Sequence, residues 1–197
     1  MPHAAAHSVK LIILGRDGVL NRYREDHVKE PQEWEPLPGA LESVARLNHA
    51  GWHAVVATNQ AGIGRGLIDM ASLNAVHQAM IRRLAEAGGR LDAVFFCPHA
   101  PEEQCDCRKP SPGMMLQIAD RYGAELAEVP MVCDNLRDLK AALAAGCQPH
   151  LVRTGRAAEL DDLAVASLLQ QVPGTRVHRD LPALAEALLR PSAVQPA

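Results

Sequence analysis

Polar residues that could do chemistry recur where apolar runs end. Asp17 follows VKLIILGR, the trio Thr58, Asn59 and Gln60 closes HAVVATNQ, and Asp134 closes VPMVCD, with Asp138 four residues further on. Taken singly, an Asp after a strand is more often a helix cap than a catalyst. Parallel strands, however, bring their carboxyl ends to one edge of a sheet, where open α/β folds place ligands. A Thr hydroxyl and an Asn amide can hydrogen-bond phosphoryl oxygens, Lys109 can neutralise developing charge, and Asp134 can hold magnesium, which prefers oxygen donors. The set reads as a phosphate-binding crevice.

A second constellation lies between two of these runs. Cys97, His99, Cys105 and Cys107 fall within eleven residues, flanked by Pro98, Pro101 and Pro110. Free Cys are often merely small buried hydrophobes, a reading that suits Cys133 and Cys147. Two pairs of soft donors, each pair split by one residue, can instead close a tetrahedron around zinc with no open position, which makes a structural site. Its expected work is mechanical: it pins a loop so that Arg108 and Lys109, next to the last donor, face the crevice.

Elements must carry these residues to one place. Five of the six residues over 9–14 are apolar and mostly β-branched or Leu, without alternation, as in a strand buried on both faces; it is expected to be the first and central strand. Helices are expected over 38–50, 72–87, 136–145, 157–171 and 182–190, with another that Ser111 caps, Pro112 starts and Gly123 ends. Leu160, Leu163, Ala164 and Leu168 read as the inner face of the helix over 157–171. Further strands are expected over 53–60, 91–97, 129–134, 150–153 and 176–178, with a Gly-rich turn, AGIGRG, after the second. The charged, Pro-punctuated stretch 22–36 is long enough to carry function rather than merely connect. Strands and helices alternate without repeat or linker. This predicts one α/β domain over 1–190, a doubly wound and mostly parallel sheet of Rossmann type with a small zinc-binding loop, and a tail over 191–197.

Composition narrows the partners. A hydrophobic content of 48% against 22% charged residues excludes a disordered chain, and with 3% aromatics the core must be built from Leu, Val, Ile and Ala. A formal charge of −3 offers no basic footprint for nucleic acid, and no apolar run approaches the ~18 residues of a membrane span. MPHAAAHS is too short and too polar for a signal peptide, and five Cys, three of them crowded together, suit reduced thiols in a cytoplasm better than disulfides. The expected state is a cytoplasmic monomer.

The four polar clusters, in their order, resemble the four motifs of the haloacid dehalogenase-type phosphohydrolases. Within that superfamily GRDGVLN, TNQAGIGRG, CPH with CDCRKPSPGM, and VCDNLRDLKAA are similar to the family of heptose 1,7-bisphosphate phosphatases, over roughly residues 10 to 155. Histidinol-phosphate phosphatases share the zinc loop and TNQ, but the GIGRG turn is closer to the heptose family. The resemblance implies a phosphorylated sugar as substrate, with Mg2+ and Zn2+ as cofactors. It implies Asp17 as general acid and base, Thr58 and Asn59 on the phosphoryl group, and Lys109 as its cationic partner. It further places Arg16, Gln60, Arg65 and Arg108 at the substrate, and magnesium on Asp134 and Asp17, the latter through its backbone carbonyl. Two positions depart from the pattern. Cys133 stands where the family has Gly, and a side chain there is expected to crowd the site. Gly15 stands where the family has the Asp that attacks phosphorus, so turnover is expected to be absent or impaired. A non-catalytic protein that holds a phosphorylated sugar stays open as the alternative.

Overall fold

The computed structural model describes residues 9–190; the N-terminal MPHAAAHS and the expected tail over 191–197 lie outside the described residues. Six strands, β1 (Leu11–Leu14), β2 (His53–Asn59), β3 (Ala93–Cys97), β4 (Pro130–Cys133), β5 (Gln148–Val152) and β6 (Arg176–His178), form one sheet in the order β3-β2-β1-β4-β5-β6. Every pairing is parallel. The chain starts in the middle and winds outward in both directions, so the crevice must form where the order reverses, at the carboxyl ends of β1 and β4.

Alternate residues of β1 to β5 feed two cores. Ile12, Leu14, Val56, Val132 and Val152 pack with α1 (Ala40–His49), α3 (Met70–Glu86) and α7 (Leu181–Leu189). Leu11, Ile13, Val55, Ala57, Met131 and Leu151 pack with α4 (Gly113–Tyr122), α5 (Leu136–Ala145) and α6 (Asp162–Gln171) on the other face. All four β1 side chains are buried. Burying one Leu or Ile is worth about 1.5–3 kcal/mol, so a slip that moved Gly15 away from β4 would expose several such side chains. The register is held.

Several expected boundaries move, each for a local reason. AGIGRG opens with one helical turn, α2 (Ala61–Gly64), rather than a plain turn. Helix α3 begins at Met70 instead of residue 72, because the Asp69 carboxylate takes up the Ser72 N–H and acts as N-cap. Ser111 does not cap α4: its N–H donates to the Arg108 carbonyl, and the N-cap is Pro112. The helix over 157–171 starts only at Asp162, capped by the Asp161 side chain, after a 3-10 turn at Gly155–Ala157. Its inner face is Val165 and Leu168, while Leu163 is 82% exposed. The later start displaces the apolar stripe. Among the described residues no helix is long and apolar enough to cross a membrane.

Candidate active site

At the end of β1 the Gly15 N–H still donates to the Val132 carbonyl, at 2.9 Å, so the strand pairs with β4 right up to the crevice. The chain then tightens: the Arg16 carbonyl accepts from the N–H groups of Val19, Leu20 and Asn21. Arg16 itself is 1% exposed and forks onto the Asp17 carboxylate, its Nε and Nη2 lying 3.0–3.2 Å from the two oxygens. Asn21 Nδ2 donates to the same carboxylate at 2.9 Å. The remaining Arg16 nitrogen, Nη1, sits 3.3 Å from His77 Nε2 on α3. A guanidinium can only donate, so His77 must accept there as a neutral ring with its proton on Nδ1. Burial, and then the Arg16 charge, push its pKa down to about 4 in agreement. Asp17 is thus a fixed carboxylate with a quarter of its side chain open to the crevice.

The end of β2 and the loop that carries Cys97, His99, Cys105 and Cys107 form the second wall. Thr58 is buried and accepts from Gln60 Nε2 at 2.8 Å, which leaves the Thr58 O–H free to donate. Gln60, expected at the substrate, lies buried beneath Thr58 and braces it. Asn59 was expected to offer its amide to phosphoryl oxygens. Instead both halves of that amide grip the Lys109 backbone, Nδ2 donating to the carbonyl at 3.0 Å and Oδ1 accepting from the N–H at 3.1 Å. Lys109 is 2% exposed, with Nζ donating to the Ala57 carbonyl at 2.7 Å and to Asp138 Oδ2 at 2.5 Å. Burial alone would raise the Asp138 pKa, but the Lys109 and Arg137 charges outweigh it and hold the carboxyl below its ordinary value.

Asp134, after β4, is set back from the crevice and is 2% exposed. Its Oδ2 accepts from the Arg156 N–H at 2.9 Å and its Oδ1 from Asn135 Nδ2 at 2.6 Å, yet burial still raises its pKa. Two glycines make room for it. A Cβ on Gly18 or Gly155 would lie 2.0 or 2.4 Å from Oδ2, and both have positive φ, so only glycine lets these loops close over the carboxylate. A buried carboxylate tucked under backbone is an oxygen-donor set suited to a hard cation such as magnesium. Gly15 adds no side-chain oxygen to that set. Cys133, expected to crowd the site, points into the core of the α4, α5 and α6 face, where burial raises its thiol pKa well above the ordinary value.

The donor atoms of Cys97, His99, Cys105 and Cys107 lie within 4.8 Å of one another. Neighbouring donors are 3.3 to 3.7 Å apart. Donors held ~2.0–2.3 Å from a tetrahedral zinc would stand roughly 3.4–3.8 Å apart, so the side chains are already spaced for that ion.

These parts surround a crevice of about 280 Å³ whose walls carry six arginines and Lys109 against Asp17, Glu25 and Asp138. Such an excess of cations suits an anionic ligand with more than one charge. Arg16, Asp17, Thr58, Asn59, Arg65, Arg108 and Lys109 all line it, as does Asp138. Tyr23, Arg24, His27, Asn135, Arg137 and Arg156 line it too and were not anticipated individually. The stretch 22–36 had signalled function, and Arg156 follows β5 just as Asp134 follows β4.

Comparison with known proteins agrees with this geometry. Residues 106–184 match the family described as HAD-hydrolase-like, and residues 16–134 match polynucleotide kinase 3 phosphatase. The D-glycero-beta-D-manno-heptose-1,7-bisphosphate 7-phosphatase of Bordetella bronchiseptica is 54% identical over 92% of this chain and 99% of its own length. That of Pseudomonas aeruginosa is 46% identical over 93% and 99%. The B. bronchiseptica crystal structure, complexed with magnesium and phosphate, superposes with a TM-score of 0.84 over 91% of this chain and 98% of that one.

Proposed function

Since the chain belongs to the D-glycero-beta-D-manno-heptose-1,7-bisphosphate 7-phosphatase family of HAD-like hydrolases, we propose that its crevice receives that heptose bisphosphate for removal of the 7-phosphate, and that the bound ester turns over little or not at all. The observation that carries the second half is Gly15. No side chain stands at the end of the central strand to attack phosphorus. Its neighbours support binding: Thr58 has an O–H that can donate to a phosphoryl oxygen, and the buried Lys109 lines the same crevice. Asp17 is held on the crevice side to move a proton at the leaving oxygen. Asp17 would be a poor substitute nucleophile. Its Oδ1 accepts from Asn21 and Arg16 and its Oδ2 from Arg16, so its lone pairs are engaged and its direction is set.

Magnesium, when bound, would supply charge for the phosphoryl oxygens; Asp134 and the Asp17 carbonyl would hold it, weakly for want of a carboxylate at Gly15. Zinc would be held by Cys97, His99, Cys105 and Cys107 as a closed structural site that fixes Arg108 and Lys109. We read the protein as a single-domain cytoplasmic monomer in lipopolysaccharide heptose synthesis, without a nucleic-acid partner. The reading is tested by giving the chain heptose 1,7-bisphosphate with magnesium and measuring phosphate release beside equilibrium binding. Binding without release is expected. Rapid release overturns the assignment of Gly15, and absence of binding overturns the assignment of the crevice.

A further inference from the structure

One guanidinium of the crevice is held unlike the others. Arg16 faces Asp17, Arg24 faces Asp26 and Glu33, Arg137 faces Asp138, and Arg65 leans to Glu102. Arg108 gives Nη1 to the His99 carbonyl. Arg156 has no carboxylate at salt-bridge distance among the described residues; instead its Cζ lies 3.9 Å from the centroid of the Tyr23 ring. Stacking uses the face of a guanidinium and none of its five N–H donors, which point outward along the edge. The group is therefore held against the ring while its hydrogen-bonding capacity stays uncommitted. That is the condition in which a planar fork takes two oxygens of one phosphate.

Position adds to the argument. Arg156 follows β5 and Arg108 follows β3, which lie on opposite sides of β1 in the sheet, yet both line the same crevice. The Arg156 backbone is tied to Asp134 by its N–H, while its exposed side chain lies over Tyr23, which lines the crevice from the stretch after β1. Accepting the crevice as a sugar-bisphosphate site, we infer that Arg156, held over the Tyr23 ring, is a specificity-determining residue that grips the phosphate remote from the reacting one. Its role is separate from that of Arg108. Tyr23 acts as its platform and contributes through the ring, not the hydroxyl.

The test is equilibrium binding to the chain as written, with magnesium, of heptose 1,7-bisphosphate and of heptose 7-phosphate, which lacks the remote group. Arg156→Ala should weaken the bisphosphate roughly tenfold to a hundredfold, the usual cost of losing a charge-assisted hydrogen-bonding group, and the monophosphate less than about twofold on the same grounds. Tyr23→Phe should bind like the parent, Tyr23→Ala should shift in the direction of Arg156→Ala, and Arg156→Lys should not restore the preference. Magnesium affinity should be unchanged throughout, because every variant keeps the N–H bond to Asp134. Equal losses for both ligands, or a preference that survives Arg156→Ala, would overturn the inference while the crevice assignment stands. A parent that binds neither sugar phosphate overturns both.

Discussion

The Cys/His loop and the end of β1 are built in opposite ways. The loop draws all four donors from Cys97 to Cys107, and their spacing is complete within one segment. The β1 end gathers Asp17, Thr58, Lys109, Asp134 and Asp138 from four stretches of the chain, and at its centre Gly15 offers no side chain. Each surviving polar group there also has a structural partner: Arg16 for Asp17, Asn59 for the Lys109 backbone, Lys109 for Asp138. The frame of a distributed site can thus stand without any side chain at Gly15. The presence of Asp17, Lys109 and Asp138 is consequently weak evidence for turnover.

The largest effect should come from filling the gap. Gly15→Asp should raise turnover of the heptose bisphosphate by several orders of magnitude through a base-labile acyl phosphate on the new side chain. Its Cβ would meet a Val19 methyl at 3.0 Å and the Val132 carbonyl at 3.3 Å, so a small loss of stability is expected alongside. A variant that binds substrate and stays silent would show that the missing nucleophile belongs elsewhere.

Next comes the loop. Protein purified without added metal should carry about one zinc per chain, and Cys107→Ser should speed hydrogen exchange over 97–109 and weaken bisphosphate binding. Finding no zinc in folded, reduced protein would remove the distinction between a complete and an incomplete site.

Asp138→Asn asks how far the frame is structural. It leaves the buried Lys109 ammonium without its counter-ion and should cost about 3–5 kcal/mol in urea unfolding. A loss below about 1 kcal/mol, the scale of an exposed pair, would mean that the pair is not part of the frame.

Acid should loosen the fold in the same sense, at the β1 end through His77 and at β5 through His150. The folded pKa values of His77 and His150 are pushed down to about 4, chiefly by burial, from an ordinary 6.5. Stability from keeping these rings neutral is complete above pH 6.5 and is lost as pH falls through about 4; Asp138, held below 3.8, adds further loss lower still. Thermal melts should fall across that window, and His77→Gln should flatten the curve. A parent melting temperature that is flat from pH 6.5 to 4 would contradict it.

The smallest effect is expected at the junction of the two regions. Arg108→Ala should weaken bisphosphate binding about tenfold and monophosphate binding less, since Arg108 leaves the zinc loop toward the crevice. Equal losses would assign Arg108 to the loop alone.

Much of this was legible without coordinates because periodicity and local chemistry report on short stretches. The apolar run before Gly15 identifies the central strand, α5 ends where Gly146 takes a left-handed turn, and four soft donors fall close together because they share one loop. Asp17, Thr58 and Lys109 were legible as members of one crevice because parallel strands end on the same side. What only the tertiary structure decided is which partner each polar group chooses. Asn59 turns to the Lys109 backbone, Gln60 braces Thr58 from below, and Arg156 lies on Tyr23 more than a hundred residues away in the chain. These choices depend on distances across strands β2 to β5. A hydrogen bond or a stacked ring pair is satisfied by whichever group the packing brings within about 3 to 4 Å, and sequence spacing carries no information about that.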